Sequence, residues 1–214
     1  MGLSVIIPAC NEEGYIGSTL ESIKHDAEVI VVCNGCTDKT FEVASKYAGK
    51  NSKLKVFNIP ERGVSRARNF GANMATGKKL VFLDADIRLE QDVLGKIENS
   101  ESALGTCLVK PDVDKFLPKG LMLLKNIAHY FGKCTGLIFC TKGVFDKAGG
   151  FDESLAIGED GKFLRQARKF VRHSVINAYV YNCMRRFEKK GYAHVCFFWI
   201  RQLFRPKSNY EIVR

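Results

Sequence analysis

Asp84 and Asp86, separated only by Ala85, end the apolar run "KLVFLDAD". In an extended chain residues i and i+2 point to the same side, so both carboxylates are expected to aim one way. Two such charges about 6 Å apart repel by roughly 3 kcal/mol at an effective dielectric near 20. A divalent cation turns that repulsion into attraction, and paired carboxylates with open positions suit Mg²⁺ or Mn²⁺. A solvated strand end or a helix cap also ends on Asp, so context has to decide. The chain holds a contrasting pair, Asp112 and Asp114 in "KPDVDKF", which follows a proline and reads as loop and cap. A second acidic pair, Glu159 and Asp160, stands between Gly158 and Gly161 where a helix is expected to start. Acids favour a helix start in any case, and a carboxylate there is also a candidate general base.

The elements that must position these groups alternate. "LSVIIP", "AEVIVVC", "LKVFNI" and "KKLVFLDAD" read as four strands. Between them, "NEEGYIGSTLESIKH", "DKTFEVASKYAGK" and "VSRARNFGANMATG" carry helical spacing, the last expected to close at Gly77. Val- and Ile-rich strands alternating with helices predict an α/β fold, with a mostly parallel central sheet covered on both faces. In such sheets ligands bind beyond the carboxyl ends of the strands. Each polar cluster falls at such an end: Pro8-Ala9-Cys10-Asn11-Glu12, Asn34-Gly35-Cys36-Thr37-Asp38 and Asp84-Ala85-Asp86. Arg66 and Arg68 lie on the helix that feeds the Asp84 strand, where a guanidinium can hold a phosphate or a planar base. Asp38 is placed to cap the second helix. A G-x-G-x-x-G fingerprint is absent, which argues against a dinucleotide site.

Beyond residue 100 the pattern is less regular. "FLPKGLMLLKNIAHYFGK" predicts an amphipathic helix at the mouth of the site, and "SVINAYVYN" a strand. The charge is uneven. Residues 161–214 hold 13 Lys or Arg against two acids, a net +11, so the first 160 residues carry −1 of the chain's +10. That concentration argues for a local anionic partner. The last residues mix Phe197, Phe198, Trp199 and Leu203 with Arg201, Arg205 and Lys207, which suits peripheral contact with an anionic membrane or packing on the domain. No apolar run approaches the length of a membrane span, and "MGLSVIIPAC" lacks the regions of a secretion signal. Eight scattered cysteines then fit free thiols in a cytoplasmic protein, with Cys33 and Cys36 as a lone CxxC.

Five pieces in order, "SVIIPACNEEGYI", "VIVVCNGCTDKT", "RGVSRARNFGANMATGKKLVFLDAD", "GGFDE" and "GED", resemble the family 2 glycosyltransferases of GT-A fold. The resemblance covers nearly the whole chain. It implies an inverting, metal-dependent transfer of a sugar from a nucleotide-diphosphate donor, UDP-linked first and GDP-linked second, to a hydroxyl acceptor. It assigns Pro8, Ala9, Asn11 and Glu12 to the wall of the nucleoside pocket. Asn34 and Asp38 fall by the base or ribose, and Arg68 by the base or diphosphate. Asp84, with Ala85 beside it, orients the ribose or supports the metal, and Asp86 binds the Mn²⁺ or Mg²⁺ directly. Asp160 is the implied base, with Glu159 next to it. Arg185 and Arg186 would lie near the diphosphate. Where the family usually has Asp-Gly-Ser, this chain has Asn34-Gly35-Cys36, which removes a charge from the base-binding loop. One domain is expected over 1–214: a donor-binding half at 1–100, an acceptor and base half at 101–184, and a basic amphipathic segment at 185–214. Two other classes compete. A nucleotidyltransferase on a related fold would need a Gly-rich loop and lysine that are absent near the N-terminus. A nucleic-acid binder would have to bring a polyanion to acidic strand ends, and no such partner is expected.

Overall fold

The computed structural model describes residues 2–133, 136–192 and 194. β1 (Leu3–Ala9) is buried at every position, as its unbroken apolar run requires of a strand covered on both faces. It pairs in parallel with β2 (Glu28–Asn34) on one side and β4 (Lys79–Leu83) on the other, and β3 (Leu54–Ile59) extends the sheet beyond β2. The crossovers are α1 (Ile16–Ser22), α2 (Thr40–Ala48) and α3 (Val64–Met74). The third helix stops at Met74 with Ala75 extended, short of the expected Gly77.

Side chains alternate across the strands. Val5, Ile7, Val29, Val31 and Val81 pack on one face of the sheet, and Ile6, Ile30, Val32, Leu80 and Phe82 on the other. α3 comes unusually close to β1. A Cβ on Gly71 would sit 2.5 Å from Ile6 Cγ2, so only glycine permits that approach. Arg68, one turn earlier on α3, is thereby carried in toward the sheet.

The second half is built differently from the first. β5 (Ile87–Leu89), α4 (Val93–Asn99) and β6 (Leu104–Pro111) follow β4, then α5 (Phe116–Tyr130), β7 (Leu137–Thr141) and α6 (Lys142–Ala148). α7 (Glu159–Ala167), β8 (Ser174–Asn182) and α8 (Arg185–Lys190) complete the described order. The eight strands run β3-β2-β1-β4-β7-β6-β8-β5. β7 is antiparallel to both β4 and β6, and β5 is antiparallel to β8, whereas β6 and β8 are parallel. The sheet is therefore mixed, with its parallel core where the Val- and Ile-rich runs predicted it. α5 forms over the expected stretch of sequence and packs on β6 and β8 through buried Pro118, Met122 and His129.

Four aromatic rings lock the later helices onto the core. Phe151 stacks on Phe163 at 4.5 Å and meets Phe82 edge-on at 4.9 Å, and Phe145 lies 5.6 Å from Phe82. Burying a side chain of that size stabilises by about 2–3 kcal/mol. Phe163, Leu164 and Ala167 are the buried residues of α7. Asp160 lies three, four and seven positions before them, on the same inward face.

Candidate active site

The turn after β4 explains where the two aspartates go. Asp84 leaves the strand with its backbone N–H bonded to Gly136 O at 2.9 Å. The Ile87 N–H then returns to Asp84 O at 3.1 Å, and Thr19 Oγ1 on α1 donates to Ala85 O at 2.7 Å. Residues 84–87 thus form a turn, and the strand does not continue through Asp86 as the extended reading expected. The consequence is separation: Asp84 and Asp86 face different arginines.

Asp84 belongs to a cluster around Arg68. Nη2 of Arg68 donates to Asp84 Oδ1 at 2.9 Å, and Nη1 donates to Asp160 Oδ1 at 2.7 Å and to Glu159 Oε1 at 3.2 Å. The Arg68 side chain is only 5% exposed, and its guanidinium lies 4.9 Å over the Phe151 ring. Burial pulls its pKa down, but Asp160, Asp84 and Glu159 outweigh that and leave it raised. One cation holds three carboxylates. Asp160 is pushed up to about 7, chiefly by burial; Arg68 opposes the rise, and Glu159 and Asp84 add to it. Gly158, in the left-handed region at φ 83°, turns the chain so that both acids enter the first turn of α7.

Asp86 belongs to a cluster around Arg185. Nη2 of Arg185 donates to Asp86 Oδ2 at 3.1 Å and to Glu12 Oε1 at 2.7 Å. The guanidinium also lies 4.0 Å over the Tyr15 ring. Burial lowers the Arg185 pKa, and the bond to Glu12 with the charges of Asp86 and Glu12 raises it overall. Arg186, next along α8, is held below the usual arginine range by burial, with Asp86 opposing. The start of α8 is therefore tied to the loop after β1, 173 residues away, and to the post-β4 turn, 99 residues away.

The first two loops clamp each other. Asn11, left-handed at φ 56°, donates from Nδ2 to Thr37 Oγ1 at 3.1 Å, and its Oδ1 accepts from Thr37 N at 2.8 Å. Asp38 accepts from the Thr40 N–H at 3.0 Å and from the Glu13 N–H at 3.1 Å, which fixes the entry to α2. Burial raises Asp38, and the bonds from Thr40 and Glu13 leave it below the usual carboxylate range. Asn34 is buried; Nδ2 donates to Ala9 O at 2.9 Å and Oδ1 accepts from Gly63 N at 3.1 Å. An Asn suits this position, because it must donate and accept at once. Pro8 and Ala9 end β1 beyond Ile6, the last β1 residue paired with β4, where it faces Phe82.

The structure thus brings Glu12, Arg68, Asp84, Asp86, Glu159, Asp160 and Arg185 to one end of the sheet in two adjoining ion-pair clusters. Tyr15, Thr19, Gly136 and Phe151 support those clusters; Tyr15 and Phe151 fall within the quoted pieces, but no role is readable for any of the four because their partners lie far away in the chain. The lone CxxC is two free thiols: Cys33 is pushed up to about 12, first by burial and then by Cys36.

Asp84 and Asp86 offer the hard carboxylate oxygens that Mg²⁺ or Mn²⁺ take, each paired here with a different arginine. Such ions take one or two protein carboxylates and complete their shell with phosphate oxygens and water. Among the described residues no group of three or more His, Cys, Asp or Glu is placed to hold a metal ion unaided. Among the same residues, no helix is long and apolar enough to cross a membrane.

Residues 4–141 match the family described as Glycosyl transferase family 2, which is more than half of the chain. The chain belongs to glycosyl transferase family 2. It is 27% identical over 210 residues to a PGL/p-HBAD biosynthesis glycosyltransferase of Mycobacterium bovis, covering 88% of this chain and 77% of that one. An uncharacterized glycosyltransferase of Haemophilus influenzae is 33% identical over 99 residues, 44% of this chain and 40% of its own. The crystal structure of S. aureus TarS 1–349 in complex with UDP superposes with a TM-score of 0.71 at 26% identity, over 86% of this chain. This chain spans 60% of that one. The mannosyltransferase PcManGT of Pyrobaculum calidifontis, solved with GDP-Man and Mn²⁺, shares the fold at TM-score 0.70 and 19% identity. It covers 97% of this chain and 65% of its own. The fold is GT-A, and the protein is a glycosyltransferase.

Proposed function

We propose that this transferase moves a sugar from a nucleotide-diphosphate donor, UDP-linked in preference to GDP-linked, to an acceptor hydroxyl with inversion at the anomeric carbon. The observation that carries the reading is the count of charges at the strand ends. Glu12, Asp84, Asp86, Glu159 and Asp160 converge on two guanidiniums, Arg68 and Arg185. A diphosphate adds more negative charge to that surplus of acid. It can settle there only with a cation, and Asp86 with Asp84 would hold it. A metal held there would supply the positive charge that neutralises a departing diphosphate.

The chain's own groups have separate tasks. Asp160, within reach of the donor side and set near neutrality, takes the proton of the acceptor hydroxyl. The oxygen then attacks the anomeric carbon, and the electron pair of the breaking C–O bond goes to the diphosphate. Glu159 shares the Arg68 guanidinium and keeps Asp160 from being over-stabilised as an anion. Arg68, buried behind the carboxylates, acts by orienting them and reaches the diphosphate only by releasing one. Arg185 and Arg186 approach the diphosphate from α8. Pro8, Ala9, Asn11 and Asp38 shape the nucleoside pocket, and Asn34, with its amide engaged on both sides, sets the distance between the first two loops. Residues 1–100 and 101–184 divide these tasks into a donor half and an acceptor and base half. The TarS complex with UDP supports the uridine preference. The basic membrane-contact segment expected at 185–214 lies outside the described residues from 195 onward, apart from α8 and its flank.

The test is calorimetric titration of UDP, GDP and their sugar conjugates with and without Mn²⁺. Metal-dependent binding of one nucleotide supports the reading and names the donor class. Equal binding with and without metal would remove the metal from the mechanism.

A further inference from the structure

Nine large apolar side chains stand exposed among the described residues, and eight of them gather in one place. Phe116, Leu117, Leu123, Leu124, Ile127 and Tyr130 lie on α5, Phe131 caps it, and Phe170 follows the end of α7. Phe116 is 93% exposed and Phe131 71%. α5 therefore buries one stripe against β6 and β8 and presents a second apolar stripe outward. The end of α7 joins this face directly, because Arg168 Nη1 donates to Phe131 O at 3.2 Å. Tyr130, Arg168, Lys169, Phe170 and Arg172 line one shallow groove of about 400 Å³.

The charge at the C-terminal end of this apolar face has one sign. Residues 115–133 and 161–173 contain no Asp or Glu, while Lys133, Arg168, Lys169 and Arg172 stand exposed at its C-terminal end. At the other end Lys119 pairs with Asp114, and Lys115 lies 3.6 Å from Glu188. Aromatic and aliphatic tips ringed by Lys and Arg match an anionic leaflet, where the rings enter the headgroup boundary and the cations meet lipid phosphates. A symmetric second copy would set the same cations against each other. Residues 195–214 are also net positive, with Arg201, Arg205, Lys207 and Arg214 against Glu211 alone.

We propose that the outer face of α5, together with residues 168–172, is the surface by which this enzyme sits on an anionic membrane. Sedimentation of the full chain is measured with phosphatidylcholine vesicles and with vesicles containing 30% phosphatidylglycerol. Binding is expected to the anionic vesicles alone and to weaken at least 10-fold between 50 mM and 500 mM salt. Ile127→Glu with Phe131→Glu replaces two exposed side chains, so the fold should survive, as circular dichroism and the melting temperature will show. That variant is expected to lose at least 10-fold in vesicle binding. Arg168→Glu with Lys169→Glu should lose a comparable factor without touching an apolar residue. Three outcomes overturn the proposal. One is equal binding to both vesicle types. Another is loss of binding in Arg205→Glu with Lys207→Glu while the α5 variant binds normally. The third is a dimer in sedimentation velocity that Ile127→Glu dissociates, which would make this face a contact between copies.

Discussion

Arg68 Nη1 lies 2.7 Å from Asp160 Oδ1, so the proposed base waits against its own counter-ion. The pairing does not make Asp160 a strong acid, because the same guanidinium is shared with Asp84 and Glu159 and the site is buried. Burial pushes Asp160 up to about 7 despite Arg68. A carboxylate so placed can accept a proton near neutral pH and hold it, which an exposed Asp cannot.

The pH dependence follows from that value. Below about pH 7 Asp160 is protonated and cannot act as base, so transfer should fall roughly 10-fold per pH unit on the acid side. The stability linkage has the opposite sense. A carboxyl raised in the folded state favours folding most at low pH, and that contribution is lost as pH rises from about 4 through about 7. A rate profile flat from pH 5 to pH 9 would falsify the assignment of Asp160.

Asp160→Asn separates chemistry from binding. It should lower transfer by about 10²–10⁴-fold, the usual contribution of a general base, while the donor binds as before. It also removes one of three acids around one guanidinium. At pH 8 the variant should gain on the order of 1–2 kcal/mol in urea unfolding, and at pH 5, where the native residue is already protonated, much less. Full transfer by this variant would shift the base role to Glu159.

Arg68→Met tests the cluster from its centre. Three carboxylates would lose their buried partner, and breaking a buried ion pair from one side costs about 3–5 kcal/mol. Arg68→Lys keeps the charge but not the fork that reaches Asp84 with one nitrogen and the α7 acids with the other. It should fold closer to normally and transfer poorly. If Arg68→Lys transfers normally, the orienting role is wrong and charge alone matters.

These clusters also mark the limit of what the sequence discloses. The parallel core was readable from β1 to β4 because continuous Val and Ile runs can only be buried strands. The acidic pairs were readable because carboxylates at strand ends are costly without a purpose. β5 was not readable, since three residues carry no periodicity, nor was the reversal of β7, whose apolar run looks the same in either direction. The orientation of Asp86 depends on a turn closed by Gly136 and Thr19, neither of which lies near it in the chain. The resemblance places Arg185 near the diphosphate, but nothing in the sequence shows what pairs with it. Its partner Glu12 lies 173 positions away, and no local pattern encodes a contact of that span. Asn34, noted as a missing charge, has its amide committed on both sides, to Ala9 and Gly63, so its chemistry is spent on holding two loops together.

Asp86 and Arg185 give the sharpest test of the metal. In the free enzyme Arg185 is the counter-ion of both Asp86 and Glu12, so a divalent cation reaching Asp86 must share or displace it. Asp86→Ala should lose metal-dependent donor binding by at least about 10²-fold, the scale set by a lost charge-to-metal contact. Chelation of the native enzyme should do the same. Arg185→Ala should act in the other direction on the metal alone. With one competing cation gone, Asp86 is expected to bind Mn²⁺ more tightly, read by calorimetry without nucleotide. The same variant leaves Glu12 buried without this partner and should cost about 2–4 kcal/mol of stability. It also strips a cation from the diphosphate, so donor binding should weaken even as metal binding strengthens. Normal Mn²⁺-dependent donor binding by Asp86→Ala would leave Asp84 as the ligand and Asp86 as a partner of Arg185 only.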